Sequence, residues 1–365
     1  MPAPVPPNRD RDATAPVAAE CSVPAELIHR TRPAGAAARC DETNAAFLKR
    51  ADLPADPQQF STALAETVSN ISETKNTPHS IVLVSLSEEE GVDLDYEVIY
   101  PALTTEGAAE ACLSVLAGAG TFALETGLVK KVGEEAEICV KIINTNHKCD
   151  LLFALKDGRP DYEDEETAST GQGAAAAVFC LLHGLSGAIC GGILPSGHMQ
   201  DEFESIQATC VDNGVPVVCL RADDFGLDEQ KTAQQLNQNK EFCQQLEAIR
   251  IKAGKAMGLA DVTDKSVPHL CLVSSGPEEA SLCVRSFIRS VWQPSTDHLA
   301  ALSVSAAALY RKSVLHHLTP LPEGLARQIQ IISESGQINV LLELNPKRPG
   351  IDILRAGFIQ TIKPV

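Results

Sequence analysis

Aromatic residues are scarce, at 4% of 365 positions with a single tryptophan. The cores must therefore be filled by aliphatic side chains and alanine. Positive charge is the next shortage. Lys and Arg number 30 against 48 Asp and Glu, a net charge of −18. Nucleic acid as a partner is excluded, because gripping a phosphate backbone needs a concentrated basic surface. A small anionic substrate is not excluded, since the local field of a pocket can oppose the net charge. No apolar run reaches the about 18 residues of a membrane span. The first 20 residues lack the apolar core of a signal peptide, and Arg9 and Arg11 alternate with Asp10 and Asp12, a poor match to a transit peptide. The expectation is a disordered Pro/Ala-rich tail over 1–24 on a cytoplasmic protein.

The 12 cysteines include no C-x-x-C pair and no Cys/His cluster at zinc spacing, so no structural metal is expected. Cys180, Cys190, Cys219 and Cys271 lie in apolar runs, the setting of small buried hydrophobes in a reducing compartment. No G-x-G-x-x-G follows a strand and no P-loop is present, so nothing supports a nucleotide cofactor.

What is present is a plan that occurs twice. Residues 80–86 and 93–100 read as strands, 105–127 as an Ala/Leu-rich helix apolar nearly all round, and EICVKIINT and CDLLFALKDG as strands, the second ending in the turn Asp157-Gly158. Strands follow at 206–211 and 215–221, then an amphipathic helix over 229–258 and a strand at 268–274. A second apolar helix spans 297–312 with Asp297 as its N-cap, before strands at 328–333 and 337–344. One buried helix per half among many short strands predicts a duplicated α+β architecture rather than a doubly wound sheet.

The segments GGILPSGHMQD, ATCVDNGVPVVCLRADDFGL, LEAIRIKAGKAMGLADV and VPHLCLV occur in an order and spacing that resemble the PrpF family. They supply its Leu-Pro-hydroxyl-Gly turn (Leu194 to Gly197), its Asp-x-x-x-Pro strand (Asp212 to Pro216) and its Ile-Arg helix ending in Met257-Gly258-Leu259. The flanks ADLPADP, SESGQI and a final strand running to Lys363-Pro364 agree. The resemblance spans residues 30–365. It implies two pseudo-duplicated domains of the diaminopimelate-epimerase type, 25–193 and 194–365, each with strands wrapped around a central helix. The site would lie in the cleft between them, with helix N-termini directed at substrate carboxylates. The chemistry implied is a cofactor-independent C=C shift in an aconitate-like or alkyl-substituted unsaturated acid, and a homodimer is left open.

The same resemblance implies site residues. Cys112 falls on the family's catalytic cysteine, although Glu110-Ala111-Cys112-Leu113-Ser114 lacks the surrounding Pro, Asn and Gly. Glu110 also adds negative charge where carboxylates should dock. A helix start there is expected to lower the thiol pKa. The family's lysine falls at Ser80, leaving His79 as the partner base and Lys75 nearby. The glycine-rich entry loop falls in RPAGAAARCDE, where only Gly35 survives and Arg32 or Arg39 takes over the carboxylate contact. On the second helix Ser303 stands for the family's Thr, and His298 is read as a helix-start residue. Ser196, Gly197 and Asp212 complete the substrate-binding set, each with an alternative reading as fold punctuation. Three functions stay open: an isomerase with a changed substrate, an epimerase or other tautomerase, and a non-catalytic binder of carboxylates or of a partner protein.

Overall fold

The computed structural model describes residues 45–56, 58–63, 65, 80–99, 110, 112–162, 175–226, 233–321, 323–348 and 350–362. These belong to the contact unit Pro33–Val365. The 1–24 tail, Arg32, Gly35, Arg39, Lys75 and His79 lie outside the described residues.

In the first half the strands are β1 (Ala45–Lys49), β2 (Ser80–Leu86), β3 (Leu94–Ile99), β4 (Glu135–Ile142), β5 (His147–Lys156), β6 (Arg159–Pro160) and β7 (Ala176–His183). The second half carries β8 (Asp201–Phe203), β9 (Ile206–Asp212), β10 (Pro216–Arg221), β11 (His269–Ser275), β12 (Ser281–Ile288), β13 (Val291–Gln293), β14 (Ala326–Ser333), β15 (Gly336–Leu344) and β16 (Ile353–Ile362). The helices named here are α1 (Leu116–Glu125), α2 (Ala233–Gln238), α3 (Lys240–Ala256) and α4 (His298–Ala308). Asp157 and Gly158 both take positive φ, 53° and 75°, as the tight turn from β5 into β6 requires.

Two helical expectations change. The amphipathic stretch over 229–258 is broken at Asn239, whose side chain accepts from Phe242 N at 3.2 Å and caps α3. A short amide that bonds its own backbone competes with helix continuation. Among the described residues, the long apolar helix over 105–127 is interrupted at Val115, with Glu110 and 112–114 helical before it and α1 after it. Val115 precedes α1 as the N-cap, without a side-chain cap.

The duplication is explicit in the strand pairing. In the first half β1 pairs parallel with β2, β2 antiparallel with β3, β3 parallel with β4, and β4–β5 and β5–β7 antiparallel. The series β10, β11, β12, β14, β15, β16 repeats that order of senses. A parallel pair needs a crossover, and here each half makes it through its buried helix, α1 between β3 and β4, α4 between β12 and β14. Small side chains let the sheet close on the helix. A Cβ added to Gly120 would stand 2.7 Å from both Leu151 and Phe153.

The equivalent last strands, β7 and β16, pair with each other antiparallel and join the halves into one sheet. β16 packs on both central helices. Its inner face carries Ala356 and Phe358, both in the core, and Gln360. Arg355 alternates to the opposite face. Its Nε donates to Glu343 at 2.6 Å and its Nη1 to Asp150 at 2.6 Å and to Glu137 at 3.4 Å. Burial alone would raise the Asp150 carboxyl, but His183 at 2.6 Å and Arg355 bring it below the ordinary range. Glu137 is raised, by burial first and then by Asp150.

Removing Arg355 takes the guanidinium from the buried Glu343 carboxylate and leaves Asp150 with His183 alone. Arg355→Leu should lower unfolding stability by about 3–5 kcal/mol, measured by urea denaturation. A loss below about 1 kcal/mol would mean the network contributes no more than a surface ion pair.

Candidate active site

The starts of α1 and α4 are held by groups from elsewhere in the chain. At α1, the uncapped first turn is bound by Gln360 of β16, whose Oε1 accepts from Ala117 N at 2.9 Å. The Nε2 of the same amide donates to Leu113 O at 2.7 Å. At α4, Asp297 Oδ1 accepts from Ala300 N at 2.7 Å, as its N-cap position predicts. Its Oδ2 lies 3.2 Å from His269 Nδ1 of β11, without hydrogen-bond alignment.

The N–H of His298, the first residue of α4, is taken by the other half. Glu110 Oε2 accepts from His298 N at 2.9 Å, and Glu110 Oε1 lies 2.6 Å from His298 Nδ1. The carboxylate thus bridges 188 positions of sequence. The imidazole ring packs on Phe358 with centroids 4.1 Å apart. Burial alone would lower the His298 pKa, but Glu110, and then Asp297, raise it above the ordinary imidazole value.

Cys112 sits two residues beyond Glu110, in the helical turn before Val115. Its carbonyl accepts from the buried Tyr96 hydroxyl at 2.7 Å, and its side chain belongs to the core. The expected depression of its pKa is corrected: burial pushes the thiol up to about 12. Cys112 is not the residue that caps α1, so desolvation dominates over the helix dipole. Ser80 opens β2 on the same face as the core residues Val82 and Val84, and its hydroxyl is buried with no hydrogen-bond partner among the described residues.

The other expected contacts lie within the fold of the second half. Ser303 Oγ donates to Val215 O at 2.7 Å and accepts from Asn213 N at 3.0 Å. Asp212 Oδ2 accepts from Ile189 N at 2.8 Å and Cys190 N at 2.6 Å, closing the preceding loop, while its Oδ1 is buried without a partner. Ser196 Oγ donates to Asp201 Oδ2 at 2.7 Å, and Gly197 turns that loop with φ of 80°. The structure brings Asp212 and Ser303 together around Asn213. It brings neither to the start of α4, since Ser303 lies five residues along the helix, about 7.5 Å of rise. Glu110, His298 and Gln360 form the junction that sequence reasoning missed. Asp297 marked the helix start, but no local signal marked its long-range partner.

Residues 39–363 match the family model described as PrpF protein. The chain is 30% identical over 329 residues to the (4E)-oxalomesaconate Delta-isomerase of Novosphingobium sp. (strain KA1), covering 87% of this chain and 91% of that protein. It is 30% identical over 284 residues to the 4-oxalomesaconate tautomerase of Pseudomonas putida, covering 77% and 78%. Among solved structures, a methylitaconate-delta-isomerase shares the fold with a TM-score of 0.67 at 19% identity, covering 87% of this chain and 90% of its own.

A thiol with a pKa near 12 is about one part in ten thousand thiolate at pH 8, and thiolate is the alkylated form. Iodoacetamide should therefore modify Cys112 in the native protein far more slowly than the partly exposed Cys243. Site-resolved mass spectrometry over a time course checks this, and Cys112 labelled first would show an opened, thiolate-bearing site.

Proposed function

The chain belongs to the PrpF family, and from that membership we propose that it is a cofactor-independent isomerase acting on an unsaturated di- or tricarboxylic acid. The reaction proposed is a 1,3-proton transfer. A base removes a proton from an allylic carbon, the conjugated carboxylate takes up the charge, and an acid returns a proton two carbons away. One C–H bond breaks and one forms, so no oxidant or reductant is consumed. The observation that carries the reading is the near full-length match to relatives named for isomerising or tautomerising oxalomesaconate.

Cys112 is the proposed acid. A thiol held up by burial keeps its proton at neutral pH, which is the resting state a donor requires. The buried, unpartnered Ser80 hydroxyl supports a substrate-oxygen contact at that end of β2. Arg32, Arg39, Lys75 and Gly35 are proposed as further carboxylate contacts, and His79 is the partner base that the family resemblance offers. Burial of Cys112 also favours a second reading, a binder of carboxylates without turnover.

The two readings separate in one assay. Purified protein in D2O is mixed with cis-aconitate, trans-aconitate, methylitaconate or oxalomesaconate and followed by proton NMR. Deuterium should enter the allylic carbon of at least one acid as its double-bond isomer appears. Saturable binding with no exchange in any of the four would leave the binder and remove the isomerase.

A further inference from the structure

A 1,3-proton shift needs two proton stations, and Glu110, two positions before Cys112, carries a titratable partner from the other half. Glu110 and Cys112 share one helical turn, and Glu110 Oε1 is 2.6 Å from His298 Nδ1. β16 spans the same gap from below. Phe358 lies against the His298 ring, and Gln360, two residues on and on the same face, grips the backbone at Leu113 and Ala117. One short stretch of strand therefore contacts both the imidazole at the α4 start and the backbone that follows Cys112.

Resting on the isomerase reading above, we infer that the Glu110–His298 pair is the second proton station of the reaction. Glu110 holds the proton on Nδ1, so the other ring nitrogen, Nε2, carries the free lone pair. Nε2 takes the allylic proton, and the imidazolium formed is held by Glu110. The Cys112 S–H gives its proton to the far carbon, which completes the shifted double bond. Transfer of the Nε2 proton to the thiolate restores both groups. A carboxylate on one nitrogen orients the ring and makes the other nitrogen more basic. The charged and titratable groups facing the ring are Glu110 from the first half, Asp297 at its own helix start, and His269 of β11 behind Asp297. The bland alternative is that Glu110 only caps α4.

A cap and a proton station respond differently to Glu110→Gln, since the amide keeps an oxygen for the His298 N–H but loses the charge. The experiment uses whichever of the four acids the full-length wild type isomerises, and measures kcat across pH 5–9 with thermal midpoints of every variant. In the wild type, activity should fall on acidification, as protonation of His298 removes the base. Glu110→Gln should move that limb to lower pH, because the charge that raises the imidazole pKa is gone, while the fold stays intact. His298→Gln should lower kcat by about 10²- to 10⁴-fold with KM little changed. An acid limb that stays in place in Glu110→Gln, or full activity in His298→Gln, overturns the inference and returns the second station to His79. If His298→Gln does not fold, the Glu110→Gln limb alone decides. A wild type inert on all four acids overturns the functional reading and this inference together. An active wild type with an unmoved limb overturns this inference alone.

Discussion

The antiparallel pairing of β16 with β7 fixes the gap between the two helix starts. Alternate residues of a strand share a face and stand about 7 Å apart. Phe358 and Gln360 are such a pair, one against His298 at the α4 start and the other bonded into the α1 start. The separation of the two functional turns is thus set by backbone geometry rather than by side-chain contacts between halves. The register Phe358↔Cys180 and Gln360↔Val178 holds it. A slip of one residue would turn both side chains outward and drive Arg355 into the helix-facing core.

The same strand separates two solutions to one electrostatic problem. An excess of carboxylates has to be accommodated where the halves meet. On the outer face Arg355 gathers Asp150, Glu343 and Glu137. At the inner junction no arginine is used among the described residues. Glu110 is instead met by a backbone N–H, an imidazole and the positive end of α4. The first arrangement carries permanent charge and suits a structural tie. The second contains an imidazole whose pKa Glu110 and Asp297 raise, so its strength varies with the protonation of that ring.

Strands and buried helices were legible because their signals are local. Alternation in DLDYEVIY and all-round apolarity in DHLAALSVS reflect neighbours within one element. The break at Asn239 was not read, because the amphipathic pattern continues through it; the amide's bond to Phe242 N decides the break. The contacts that make the site were not local. Gln360 reaches residues more than 240 positions away, and Glu110 reaches one 188 positions away. Ser303 shows the converse. Its hydroxyl kept the chemistry of a substrate contact in sequence, yet both of its bonds go to the backbone around Asn213. The pKa direction expected for Cys112 was reversed because solvent exclusion, a property of the whole half, outweighs the nearby helix dipole.

Under the relay proposed above, the raised thiol and the carboxylate-bound imidazole act as one coupled system. Desolvation keeps Cys112 protonated while its surroundings are neutral. In that relay an imidazolium forming at His298 changes those surroundings, because positive charge in a water-poor site favours a thiolate. Proton uptake by His298 therefore makes Cys112 a better donor at the moment when the substrate carbanion needs a proton. The reverse holds on the return path, where a thiolate makes the imidazole more basic. A double-bond shift between two unsaturated acids is close to balanced in energy, so a catalyst must serve both directions. In the proposed relay, a pair whose acidities are each set by the state of the other meets that requirement.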